Sequence, residues 1–131
     1  MTNEQFRKHK ILKEYKHLNA VRKEKVTDYC ALLTKLTRVT QNISPMPGHG
    51  GGSDYDEKVF ELAQRYEEIE SISEQLATIQ IAINSLPLTE CFVIREYYFN
   101  HRQASEIGTM IEKSKRSIFR IRNDALDHLA L

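Results

Sequence analysis

A chain of 131 residues has the length of one compact domain, or of a small domain carrying an extended helical arm. With 40% apolar and 28% charged residues it has a globular composition, and no stretch approaches the roughly 20 consecutive apolar residues of a membrane span. The net charge of +1 conceals a division along the chain: eight Lys or Arg fall between Arg7 and Lys25, eight acids between Asp54 and Glu74, and the stretch from Arg102 to Arg122 is basic again. Basic segments are where polyanions bind.

From Met1 to Lys16 charges alternate with single apolar residues. A signal peptide needs a continuous apolar run there, so the expected location is the cytoplasm. Ile11, Tyr15, Leu18, Arg22, Lys25, Tyr29, Leu32, Leu36, Val39 and Ile43 follow an alternating four-three spacing, the pattern of a helix with a seam. The seam turns polar at Arg22 and Lys25, with Val21 and Val26 beside the break. Either the stripe changes face there, or the helix bends or is only partly covered.

Prolines and glycines between Ser44 and Ser53 predict a flexible loop over 44–53. A phosphate-binding loop is not expected, because Ser53-Asp54 stand where a Walker-type sequence closes on lysine and a hydroxyl. Val59, Leu62, Tyr66, Ile69, Leu76, Ile79, Ile83 and Leu86 then form a second stripe, with Ser53 or Asp54 as N-cap and Asp56 and Glu57 in the first turn. Two stripes joined by a short loop predict an antiparallel helical hairpin over 1–86, its arms opposite in charge; the charged faces are expected to be solvated and to pair with one another, and the alternative is phosphate contact by the basic first arm. Apolar surface left over on such long helices makes the hairpin the expected homodimer interface. Cys30 and Cys91, inside apolar patterns and far from any metal-ligand spacing, are expected as buried reduced thiols.

Leu86-Pro87 ends the second helix, with Thr89 or Ser85 placed to cap a new one that runs from Cys91 to Phe99 and stops at Asn100-His101-Arg102. Gln103 to Ile111 predicts a short helix with Ile107, Met110 and Ile111 on one face and Gly108 where a second helix can approach closely. Glu112-Lys113-Ser114 makes the turn. The last helix, Lys115 to Leu129, is capped by Ser114 and buries Ile118, Ile121, Ala125, Leu126 and Leu129.

A helix-turn-helix needs this division of labour: one helix braces, while the next buries a stripe and projects donors from its N-terminal half into the major groove. The DNA-contacting residues expected on the outward face are Ser114, Lys115, Arg116, Ser117, Phe119, Arg120, Arg122 and Asn123. Base contacts are assigned to Lys115, Arg116, Phe119 and Arg120, since arginine and lysine match guanine O6 and N7, and phosphate contacts to the neighbouring basic groups and the Ser114 hydroxyl.

Glu106-Ile107-Gly108, the turn, and Ser114-Lys115-Arg116-Ser117-Ile118 through Ala125-Leu126 resemble sigma-factor region four. Leu86-Pro87 and Val93-Ile94-Arg95-Glu96-Tyr97-Tyr98 match the first half of that module. With the long N-terminal helices and the Ser-Pro and glycine-rich loop, nearly the whole chain resembles small phage and prophage transcription activators of Gram-positive bacteria, the RinA, LtrC and ArpU-like group. The resemblance implies activation of late packaging and morphogenesis genes through promoter DNA and host RNA polymerase. Gln103 replaces the family's capping threonine, Glu112 and Lys113 replace a glycine and an apolar residue in the turn, and Arg116 and Phe119 occupy the base-reading positions. A target distinct from an ordinary promoter element follows.

The fold expected is therefore all-α: a helical hairpin (1–86) followed by a three-helix, sigma region-four-like helix-turn-helix module (87–131). The function expected is sequence-specific binding of double-stranded promoter DNA by a transcription regulator. The alternative is a helical interaction module or inhibitor that binds RNA polymerase or another regulator without reading DNA. The five histidines are scattered and no nucleophile stands beside a base, so neither an enzyme, a metal nor a cofactor is expected.

Overall fold

The structure, a computed structural model, describes residues 1–42 and 52–131. Every regular element among them is helical: α1 (Asn3–Asn42), α2 (Gly52–Asn84), α3 (Leu88–Ile94) continuing into a π-helical turn (Arg95–Phe99), α4 (Ala104–Met110) and α5 (Lys115–His128). The loop expected over 44–53 lies outside the described residues up to position 51, and its last two residues are already helical. Capping by the Ser53 or Asp54 side chain also lies outside them.

The chain forms two compact units. One, Leu18–Glu74, holds the middle of the hairpin. Arg22 Nε donates to Ser73 Oγ at 2.7 Å, Lys25 Nζ reaches Glu68 Oε2 at 2.9 Å, and the rings of Tyr29 and Tyr66 lie 6.0 Å apart. Partners on α2 descend in number as those on α1 ascend, which is antiparallel pairing. The polar break in the first stripe thus keeps its face, because Arg22 and Lys25 meet a hydroxyl and a carboxylate across the seam. Leu36, Leu62 and Ile69 are buried here, but Val59 and Tyr66 of the second stripe are exposed. Cys30 is exposed and Cys91 half-buried, which corrects the expectation that both are buried. Cys30 follows Tyr29 in α1, about 100° around the helix from that seam residue.

The other unit joins Met1–His17 to Gln75–Leu131, a division that differs from the boundary expected between 86 and 87. Thr2 and Gln5 start α1 with a reciprocal capping box: the Gln5 amide donates to Thr2 Oγ1 at 3.1 Å and the Thr2 amide to Gln5 Oε1 at 3.0 Å. Gln5 Nε2 goes on to the Asn123 carbonyl and to Asp127 Oδ1 on α5. Lys8, only 7% exposed, donates from Nζ to the Leu129 carbonyl at 2.7 Å. A buried ammonium is stable there because a helix C-terminus presents unpaired carbonyls and the negative end of its dipole. Leu12, 1% exposed, enters a core with Ile83, Ile94, Tyr98, Leu126 and Leu129.

Pro87 precedes α3 without a side-chain cap. Neither Ser85 nor Thr89 supplies the expected one, because the Ser85 hydroxyl donates backwards to the Ile81 carbonyl at 2.8 Å. The π-helical turn closes with the Asn100 amide on the Arg95 carbonyl, five residues back, at 3.1 Å. Its wider winding sends three consecutive aromatics to different partners: Tyr97 to Phe119, Tyr98 to His9, and Phe99 to Tyr15, stacked at 4.6 Å.

Candidate nucleic-acid interface

A second core, Val93, Ala104, Ile107 and Ile118, clamps α3, α4 and α5 together and sets the helix-turn-helix. Ala104, Ile107, Gly108 and Ile111 share the inward face of α4. Met110 was expected there, but it lies about 120° from Ala104 at 3.6 residues per turn and is exposed.

The turn has the longer, 6→1 hydrogen bond of a Schellman motif: the Lys113 amide donates to the Gly108 carbonyl at 2.8 Å, and Glu112 takes a left-handed φ of 55°. Backbone, rather than a second helix, approaches Gly108. A Cβ at that position would press into the Lys113 carbonyl oxygen and lie 3.4 Å from its carbon. Ser114 then caps α5, its Oγ accepting from the Ser117 amide at 3.1 Å and donating to Ser117 Oγ at 2.9 Å. Gln103, at the matching position before α4, makes no side-chain cap bond.

The eight residues assigned to DNA divide into two sets. Ser114, Lys115, Arg116 and Arg120 are exposed, and Ser117, Phe119, Arg122 and Asn123 are half-buried. Three of the second set, Phe119, Arg122 and Asn123, are held by contacts within the fold. The Arg122 guanidinium lies 5.1 Å from the Tyr97 ring centre and 4.9 Å from that of Phe119, and it donates to the Tyr97 hydroxyl at 3.1 Å. Asn123 accepts from the same guanidinium through Oδ1 at 3.0 Å. Phe119 packs edge-on against Tyr97 at 6.5 Å, with Lys115 Nζ 6.0 Å from its ring centre. The cationic face of α5 open to a ligand is Lys115, Arg116 and Arg120.

Sequence reasoning did not single out Lys13 within the basic first arm. It lines an open groove of about 580 Å³ together with Tyr97, His101, Arg102, Gln103, Lys115 and Phe119. The capping signal Thr2-x-x-Gln5 was the one clue that α1 has a defined start, and nothing in spacing placed that start against α5.

Beside the groove, Tyr98 Oη and His9 Nδ1 are 2.5 Å apart. Burial, then the charges of Lys13 and Arg122, push the His9 pKa down, and burial pushes that of Tyr98 up. The imidazole is thus held towards its neutral form and the phenol stays protonated, with one hydrogen bond between them. At the far end of α5, His128 meets Glu90 at 2.9 Å, and that hydrogen bond with the carboxylate charge raises its pKa.

Among the described residues no three His, Cys, Asp or Glu side chains gather to hold a metal ion, and no helix is long and apolar enough to cross a membrane. Compared with protein-family models, curated proteins and solved structures, the chain has no match.

Proposed function

We propose that the chain is a sequence-specific DNA-binding transcription regulator that reads duplex DNA with α5. The observation carrying this reading is the arrangement around the turn: Lys115, Arg116 and Arg120 stand exposed on the first half of a capped helix whose other face is fixed by Ile118 and Leu126. A rigid helix presenting the forked guanidiniums of Arg116 and Arg120 from its N-terminal half is the geometry that direct readout of the major groove requires. The residue resemblance to sigma-factor region four and to the phage activators supports the finer reading, activation of late phage genes with host RNA polymerase. A homodimer through the hairpin fits the same reading, since one recognition helix reads too few bases for high specificity. The exposed apolar side chains Leu33, Val59, Phe60 and Tyr66 are where it would form.

The test is selection from a randomised duplex library followed by shift assays in a salt series. Wild type is expected to enrich a discrete sequence, and Arg116→Ala and Arg120→Ala each to weaken binding to it by about 10-fold, the cost of one lost bidentate base contact. No binding at low salt, or full binding by both variants, overturns the reading.

Those exposed apolar side chains on the hairpin also favour a second reading, a module that binds RNA polymerase or another regulator and does not read DNA. Capture of purified RNA polymerase by a protein that enriches no sequence would establish it.

A further inference from the structure

The groove beside α5 is built from four parts of the chain, and α1 lies far from the other three in sequence. Lys13 comes from α1, Tyr97 from the π-helical turn, His101, Arg102 and Gln103 from the linker before α4, and Lys115 and Phe119 from α5. None of its lining residues is acidic. The charge of Arg102 is offset by Glu96 at 2.7 Å and Glu106 at 3.9 Å. Lys13 is exposed, and among the described residues it makes neither an ion pair nor a hydrogen bond. Lys115 likewise has no carboxylate partner among the described residues, and its Nζ lies over the Phe119 ring. Two lysines without counter-ions thus face one groove, and one of them is the first residue of α5.

The position of the groove decides what it fits. When the N-terminal half of a recognition helix sits in the major groove, the sugar-phosphate strand bordering that groove passes beside the first turn of the helix. Lys115 marks that first turn here, and Lys13 lines the same groove from α1. Uncompensated lysines beside an open channel attract a polyanionic strand, and each phosphate they neutralise releases counter-ions. Lys16, three residues on from Lys13 and exposed, continues the same basic stripe along α1.

We propose that Lys13 and Lys115 grip one sugar-phosphate strand of duplex DNA in this groove, which makes the first turns of α1 a backbone-contacting part of the DNA interface. The proposal rests on the DNA-reading role of α5. It adds an element from the opposite end of the chain, and Lys13 supplies positioning and affinity without sequence information.

The experiment measures binding of the full chain to two probes over a salt series: a mixed-sequence duplex of about two helical turns, and the duplex enriched by selection. Lys13→Ala is expected to weaken binding to both probes equally, by about fivefold at 0.1 M salt, and to lower the slope of log affinity against log salt by about one. Lys13→Arg is expected to retain the wild-type slope. Because Lys13 is exposed, its variants should melt as wild type does, and the melt excludes unfolding as the cause of any loss. An unchanged slope in Lys13→Ala, with Arg116→Ala still weakening the selected duplex, overturns the proposal and leaves the DNA reader standing. So does a loss confined to the selected duplex, since that is base readout. If wild type binds neither probe at low salt, the DNA-reading role fails and the proposal falls with it.

Discussion

Gly108 and Lys113 are locked together: the Gly108 carbonyl accepts the Lys113 amide at 2.8 Å, while the Lys113 carbonyl rests where a Gly108 Cβ would stand. The helix-turn-helix angle depends on this approach, since it folds the turn back over α4 and aims Ser114 at the start of α5. Gly108→Ala puts a methyl against backbone, which cannot rotate away as a side chain can. The expected cost is about 2 kcal/mol, within the range for overpacking, read as a lower urea midpoint.

Glu112 follows in the left-handed region at φ 55°, where a side chain costs about 1 kcal/mol relative to glycine. Glu112→Gly is therefore expected to raise stability by about that amount less the entropy glycine adds to the unfolded chain. Gln103→Thr is expected to add about 1 kcal/mol by supplying the cap that α4 lacks. Thermal melts of the single and double variants check both, and a fall in melting temperature in either would count against this account of the turn.

The start of α1 belongs to the core of the C-terminal helices. Leu12→Ala empties a site that is 1% exposed and is expected to cost about 3 kcal/mol. Lys8→Ala leaves the Leu129 carbonyl without its buried donor and is expected to cost about 1–3 kcal/mol. Were α1 an arm that folds independently of α5, both variants would unfold in urea like the wild type.

Acid and alkali act on different histidines. His9 has a folded pKa below its ordinary 6.5, so the unfolded chain takes up a proton first. Its stabilising contribution is present above pH 6.5 and is lost as pH falls. His128 has a folded pKa above 6.5 through Glu90, with Asp124 and Asp127 adding to it. Its contribution is present below pH 6.5 and is lost as pH rises through the raised value. Melting temperatures taken between about pH 5 and about pH 8 should show His9→Gln blunting the acid-side loss and His128→Gln blunting the alkaline-side loss. Identical profiles for wild type and His9→Gln would contradict the burial of a neutral imidazole against Tyr98.

On α5 the sequence located the cap, the buried stripe and three exposed cations, because a 3.6-residue period separates faces wherever a helix packs on one side. It assigned Arg122 and Asn123 to the outward set because both are polar, yet Tyr97 and Phe119 offer a guanidinium a better place than water does. Phe119 likewise serves the packing of the π-helical turn, a local winding that no residue pattern announces.

Polar spacing gave less again at the ends of the hairpin. Periodicity predicted two long helices and their antiparallel pairing, and the structure adds that Arg22 and Lys25 cross to Ser73 and Glu68. Val59, Tyr66 and Met110 carry side chains that the stripes place inward, but each is left exposed, Tyr66 even with the Tyr29 ring beside it, because burial requires neighbours on more than one side.

The sequence by itself determined that the described chain is helical, where α2 and the later helices stop and which residue opens the last one, since capping, proline geometry and periodicity are local effects. Only the tertiary structure decided that Gln5, Lys8 and Leu12 complete the core around α5, and that Lys13 shares a groove with Lys115. Contacts across more than a hundred residues depend on how the faces of separate helices match in shape and charge. That match exists only once all of them are in place.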